Sequence, residues 1–405
     1  MQSRLTSLRF GWFRVCALAV LGCAVIPPTA KGQTETILHS FSNREGDGQN
    51  PIAGLIRDSA GNLYGTTEWG GGYGWGAVFK IDKTGNETVS YSFTGGIDGA
   101  NPSAGLIRDA AGNLYGTALF GGANHCPVGE SFGCGTVFKL GTTGHLTVLY
   151  TFVGTPDGAG PLGLIQDASG NFYGTTDAGG DSTNYSSGAG TVFKLDTTNK
   201  ERVLYRFTGL SDGYSPQAGM VRDSKGNLFG TTYRGGDPTC GYYGCGIVFE
   251  LDSSGTESVI YTFTGGADGD DPVDALDKDG SNLAGTTLSG GTYGLGTVFT
   301  VDQSGTETVL HNFTGKPDGS GPAANVVRDS KGNLYGTTYG GGDYNLGTVF
   351  KIDTTGKETV VYSFGNGADG KAPFAGLTLD SAGNLYGTTF EGGDANMGTV
   401  FKVTP

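Results

Sequence analysis

The stretch Asn62-Leu63-Tyr64-Gly65-Thr66-Thr67 decides the architecture, because the chain of 405 residues repeats it. Variants of it start at Asn62, Asn113, Asn171, Asn227, Asn282, Asn333 and Asn384, at intervals of 51, 58, 56, 55, 51 and 51 residues. A fixed period of this length marks a modular array rather than one irregular core. Working outward, each unit has four short runs rich in β-branched and aromatic residues. In the first unit these are 53–57 (AGLIR), 62–67 (NLYGTT), 76–81 (GAVFKI) and 87–93 (ETVSYSF), which we term strands A, B, C and D. Asp58-Ser59-Ala60-Gly61 and Asp82-Lys83-Thr84-Gly85 join A to B and C to D; each reads as a type I turn closed by a glycine at positive φ. The repeated aspartates read as turn chemistry, since an Asp at the first turn position has backbone donors to accept.

The ends of the array set its topology. A lone D-type run, 35–41, precedes the first A strand, and the last unit stops after a C strand near 398–403. Together these make seven sets of four. An open solenoid needs polar caps at its ends, whereas a ring in which the N-terminal D strand completes the last sheet leaves no edge to protect. The fold class read from the sequence is therefore all-β, a seven-bladed β-propeller with four strands per blade. It occupies 33–405 as a single domain. Composition agrees: 77 Gly and 14 Pro supply tight turns, while 22 Phe, 19 Tyr and 3 Trp supply apolar surface to bury, unlike a disordered chain.

Residues 1–32 read as a signal peptide. Arg4, Arg9 and Arg14 precede an apolar run at 15–26, too short to span a bilayer, and small residues at Ala30 and Gly32 suggest cleavage before Gln33. Lipid attachment at Cys23 is a second possibility. Loss of Arg4, Arg9, Arg14 and Lys31 takes the formal charge from -14 to -18. Such a surface excludes nucleic acid and anionic lipid as partners.

The motifs G-T-V-F-K-I-D (347–353), E-T-V-L-x-x-F (307–313) and G-N-L-Y-G-T-T (332–338) resemble the GloVer tandem repeats of bacterial secreted proteins, some of them of the choice-of-anchor type. The resemblance spans the mature chain. It implies export and a propeller-like array, and it carries no established activity.

Function is sought where the repeats differ. From the B-strand Asn to the Gly that opens strand C, the seven copies run 14, 22, 19, 19, 14, 14 and 14 residues, so the excess length lies in the B-to-C loops of blades 2 to 4. Variable loops on a fixed scaffold are where binding usually resides. Cys126 with Cys134, and Cys240 with Cys245, fall in two of these loops and read as local disulfides of an exported protein. A zinc site at His125, Cys126 and Cys134 lacks a fourth ligand. Aromatic residues of the B-to-C loops, namely Trp69, Tyr73, Trp75, Phe132, Tyr185, Tyr242 and Tyr243, suit stacking on sugar rings; Trp69 and Trp75 are expected to be exposed.

The fifth unit breaks the pattern with Asp268, Asp270, Asp271, Asp274, Asp277 and Asp279, and with Ala284 in place of Tyr or Phe. Asp277, Asp279 and Asn282 form a weak calcium candidate; no other cofactor is expected. Among the residues that open the A strands, Asp274 alone titrates, so the channel mouth lacks the pair of groups that acid–base catalysis needs. The leading reading is a secreted, monomeric, non-catalytic module that binds a glycan or surface polymer through the long loops. The alternatives are a polysaccharide hydrolase or lyase using loop acids such as Asp98, Glu130, Asp181 or Asp237, and a structural or protein-docking propeller.

Overall fold

In the computed structural model, which describes residues 34–122, 126, 133–241, 243–365 and 368–405, strand pairing follows the repeat. No helix occurs among these residues, and seven antiparallel sheets form a seven-bladed β-propeller with four strands per blade. The signal peptide at 1–32 and Cys23 lie outside the described residues. The second blade is typical of the order: Ile107–Arg108, Leu114–Ala118, Thr136–Leu140 and Leu146–Thr151 pair in sequence, innermost first. Observed A strands are mostly two residues long, shorter than expected, because their leading residues line the central channel instead of a ladder.

Closure occurs as the sequence required. Thr34–Ser40 pairs with Thr399–Thr404, in register from Thr34 with Thr404 to Ser40 with Thr399, with an irregularity between Ile37 and His39. The first strand thus becomes the outer strand of the seventh blade.

One aromatic contact joins every blade to the next. The Phe that ends each D strand meets the C-strand Phe of the following blade edge to face: Phe93 with Phe138 at 5.2 Å between centroids, Phe207 with Phe249 at 5.2 Å, Phe263 with Phe299 at 5.1 Å. At the joint between blades 7 and 1, Phe41 meets Phe79 at 5.1 Å. Edge-to-face packing is a favoured aromatic geometry, and these rings are fully buried. The same ring explains a glycine of the repeat. A Cβ on Gly65 would lie 2.6 Å from Phe79 Cζ and 2.8 Å from Leu55 Cδ2, so no larger residue leaves room for the ring. Nearer the axis, threonine hydroxyls donate across the same joints, from Thr66 to the Ala104 carbonyl (3.2 Å) and from Thr388 to that of Ala53 (3.3 Å).

The turns match their reading. Asp58 accepts from the Ala60 and Asn62 amides at 3.0 and 2.9 Å, and Gly61 has φ 90°. The D-to-A loops are built on a second buried carboxylate: Asp98 accepts from the Tyr91 hydroxyl at 2.9 Å and the Thr94 amide at 2.9 Å. Beside six of these loop aspartates stands a glutamate that opens the next blade's D strand: Glu35, Glu87, Glu201, Glu257, Glu307 and Glu358. Burial, and then the neighbouring aspartate, push Glu201, Glu257 and Glu307 up to about 7.

Two outcomes follow from these joints. Phe207→Ala is expected to lower unfolding stability by about 3–5 kcal/mol, measured by urea denaturation; a loss below about 1 kcal/mol contradicts the role given to the ring. Because the folded state binds protons on these glutamates more tightly than the unfolded chain, their stabilisation is complete below about pH 4.5 and lost as pH rises through about 7. The melting temperature is therefore expected to fall across that window, and less steeply in Glu201→Gln; a rise would contradict the assignment.

Candidate functional site

The residues that open the A strands of all seven blades enclose a central cavity of about 350 Å3, lined by Ser103, Leu162, Gln217, Asn325 and Phe374 among others. Asp274 is the one titratable side chain in that lining among the described residues. Its carboxylate accepts from the amides of Ala275 (2.6 Å) and Asn325 (2.8 Å). Burial nevertheless raises its pKa, the two bonds opposing only part of the effect.

The rim above holds more chemistry than the sequence suggested. The D-to-A and B-to-C connections pair there, as Gly48 with Gly70 and Gln49 with Trp69, which puts both sets of loops on one face. On blades 4 and 5, Arg234 lies 2.7 Å from Asp271 and 3.7 Å from Asp270, with its guanidinium 4.5 Å from the Tyr233 ring centroid. Burial, reinforced by Asp270, raises the Asp271 carboxyl above its ordinary range, against the pull of Arg234. Glu68, on blade 1, is likewise raised by burial to about 7. Phe374 stacks on Tyr339 at 5.3 Å and meets Phe390 edge-on at 5.8 Å. Asp270 and Asp271 stood out in the sequence only as part of an acidic run, and Arg234, Glu68, Tyr339 and Phe390 were passed over because each lies just after a B strand, where the repeat is otherwise regular. A signal did exist: Arg234 and Asp271 replace residues that are uncharged in most other copies.

The expected aromatic residues divide into separate groups. Tyr185 lies 4.7 Å from Tyr214 and 6.2 Å from Tyr243, and Tyr214 stacks on Tyr243 at 6.1 Å with planes 12° apart. These rings join the loops of blades 3 and 4. Tyr214 had escaped notice because it belongs to a D-to-A loop. Tyr243 is 45% exposed. Trp69 and Tyr73 are also exposed but stand apart on blade 1. Trp75, expected to be exposed, is half-buried: it packs on Gly95, where a Cβ would lie 2.6 Å from the indole. It is a wedge beneath the loop. The disulfide Cys240–Cys245 fills the same position on Gly265 in blade 4, with Cys245 Sγ 2.8 Å from where a Cβ would sit. Cys126–Cys134 is also formed. Phe132, Tyr242, His125 and Glu130 lie outside the described residues.

The loop acids proposed for catalysis are already engaged. Asp98 anchors its own loop, and Asp181 and Asp237 accept from Thr183 and Thr239 amides at 2.8 Å, bonds that hold both carboxyls below the usual range. In the fifth blade, Asp277 pairs across the ladder with Ala284 and receives Arg328, Nε at 2.8 Å and a terminal nitrogen at 2.7 Å. Asp279 is 3.8 Å from the same guanidinium, and Asn282 lies opposite it in the hairpin. Elsewhere the equivalent arginine covers a B-strand tyrosine, as Arg108 covers Tyr64 at 5.8 Å. With Ala284 offering no ring, Asp277 supplies the partner instead, so the calcium candidate's carboxylates already face a cation of the chain.

The chain belongs to the Gloeobacter/Verrucomicrobia repeat family, whose model matches residues 24–242 and 238–405. No curated protein matches it. Among solved structures it is similar to the virginiamycin B lyase from Staphylococcus aureus, at 12% identity and TM-score 0.59, over 92% of this chain and 99% of that one. It also resembles the extracellular domain of the putative one component system BT4673 from B. thetaiotaomicron, at 11% identity and TM-score 0.54, over 90% of this chain and 40% of that one. Identities this low carry the fold alone.

Asp277→Ala is expected to cost about 1–2 kcal/mol by stranding the partly buried Arg328, and Asp279→Ala, at the exposed end, less than about 0.5 kcal/mol. Chemical denaturation at low salt measures both; equal effects would contradict the pairing.

Proposed function

We propose that this family member is an exported, monomeric recognition propeller that binds a glycan or comparable surface polymer at the loops of blades 3 and 4. One observation carries the reading: Tyr185, Tyr214 and Tyr243 from three successive connections converge into a single aromatic platform. Flat rings offer the apolar face that a sugar ring stacks on, and flanking polar groups orient its hydroxyls. Arg234 adjoins the platform through backbone hydrogen bonds of 2.7 and 3.0 Å with Tyr214, while its guanidinium is held by Asp271 at 2.7 Å. The disulfide at 240–245 lies at the base of the same loop and reduces the entropy lost when a ligand orders it.

Several features favour export and a non-nucleic partner. Two disulfides suit an oxidising compartment. No helix among the described residues is long and apolar enough to cross a membrane. The charge of -14 repels polyanions. Hydrolysis or elimination is disfavoured by the engagement of Asp98, Asp181 and Asp237 in their own loops.

A glycan array probed with the purified protein is expected to show binding that weakens about tenfold with each of Tyr185→Ala and Tyr243→Ala, the scale of one lost aromatic contact. Trp69→Ala, on blade 1, should change it little. Unaltered affinity in both tyrosine variants would overturn the reading, as would release of reducing ends or unsaturated products.

A further inference from the structure

The glutamate–aspartate pairs between blades are not all alike. In blades 1, 2, 3, 4 and 6 a D-strand tyrosine accompanies the loop aspartate, as Tyr205 accompanies Asp212 at 3.0 Å. In two blades the tyrosine is replaced by histidine, which brings an imidazole nitrogen beside two carboxylates. The first triad is His39, Asp47 and Glu87; the second is His311, Asp318 and Glu358. In each, one donor atom from every residue lies within 4.8 Å of the others. The two triads lie at different joints and use the same three positions of the repeat.

We propose that each triad binds a divalent first-row transition ion, with zinc as the probe, so that one ion bridges blades 7 and 1 and a second bridges blades 5 and 6. The donor chemistry selects the class. Imidazole with carboxylates suits zinc and its neighbours, a water completing the fourth position that the three side chains leave open, whereas calcium prefers oxygen alone. Ligands about 2.0–2.2 Å from a tetrahedral ion stand about 3.3–3.6 Å apart, so donors that lie within 4.8 Å of one another would draw in by at most about 1.5 Å.

Orphaned atoms point the same way. In the first triad His39 Nε2 and Asp47 Oδ1 are buried and have no hydrogen-bond partner among the described residues; Glu87 Oε1 and Glu358 Oε1 are also unpartnered, a state they share with Glu35, Glu201, Glu257 and Glu307 at the joints without histidine. Supporting contacts hold the donors in place. Ser42 donates its amide (2.8 Å) and hydroxyl (2.6 Å) to Asp47 Oδ2, which leaves Oδ1 facing His39 Nε2 at 3.8 Å. In the second triad His311 Nε2 and Asp318 Oδ2 are 3.0 Å apart, and the Thr314 amide also donates to that oxygen at 3.0 Å. Both imidazoles rest edge-on against a joint phenylalanine, Phe41 at 4.7 Å and Phe313 at 4.9 Å. A dication would neutralise the two acids that meet at each joint.

The test uses the internal control that the repeat provides. Untagged protein is stripped with chelator and dialysed against zinc chloride, and bound metal is counted by atomic emission. About two ions per chain are expected, falling to about one in His311→Tyr and to about none in the double variant His39→Tyr/His311→Tyr. Tyrosine occupies these positions in five other blades, so the double variant should still melt cooperatively, and zinc should raise the melting temperature of the parent but not of this variant. The proposal is overturned if the parent retains no zinc, or if the count is unchanged by the substitutions. It is also overturned if calcium stabilises parent and double variant alike, which would assign binding to the carboxylates without the histidines.

Discussion

Everything in this molecule depends on the edge-to-face contact between a D-strand phenylalanine and the C-strand phenylalanine of the next blade. A four-stranded sheet has two faces, and a lone blade would leave both wet. The ring pairs bury those faces against each other, from Phe93 with Phe138 round to Phe41 with Phe79. Because each joint is equivalent, no blade is stable in isolation and the circle must close. That requirement explains why the chain carries a D strand before its first complete unit.

The same geometry divides the chain into conserved and free positions along the repeat itself. The Gly of Asn-Leu-Tyr-Gly-Thr is fixed by the phenylalanine above it, and the loop aspartate by the tyrosine and amide that donate to it. Where one residue departs from the repeat, another compensates. Ala284 removes the ring on which Arg328 would rest, and Asp277 replaces an apolar residue to receive the guanidinium. His39 and His311 replace tyrosines at joints that already hold two acids. The acidic character of the molecule is thus concentrated partly in its seams, where burial makes several glutamates hold their protons more tightly.

Fold and topology were legible because they arise from short-range signals repeated seven times: turn Asp and Gly, alternating strand residues, and the displaced first strand. The disulfides were legible for a related reason, since each pair closes a short loop. The candidate site was only partly legible. Tyr185 and Tyr243 could be located by loop length, but Tyr214 completes their cluster from a different connection, and Trp75 turned inward onto Gly95. Arg234 with Asp271 was hidden for the same reason: spatial neighbours from adjacent blades are about 40 residues apart in the chain. Periodicity reports which positions are equivalent, whereas a site is made of positions that are not.

Hydrogen exchange across Thr34–Ser40 tests ring closure most directly. If these residues form the outer strand of the seventh blade, the amides that bond to Thr399–Thr404 should be protected to a degree similar to those of Thr136–Leu140, deep in the second blade. Exchange of the whole segment at the rate of an unstructured peptide, with the other blades still protected, would contradict the closed ring and the shared face built upon it.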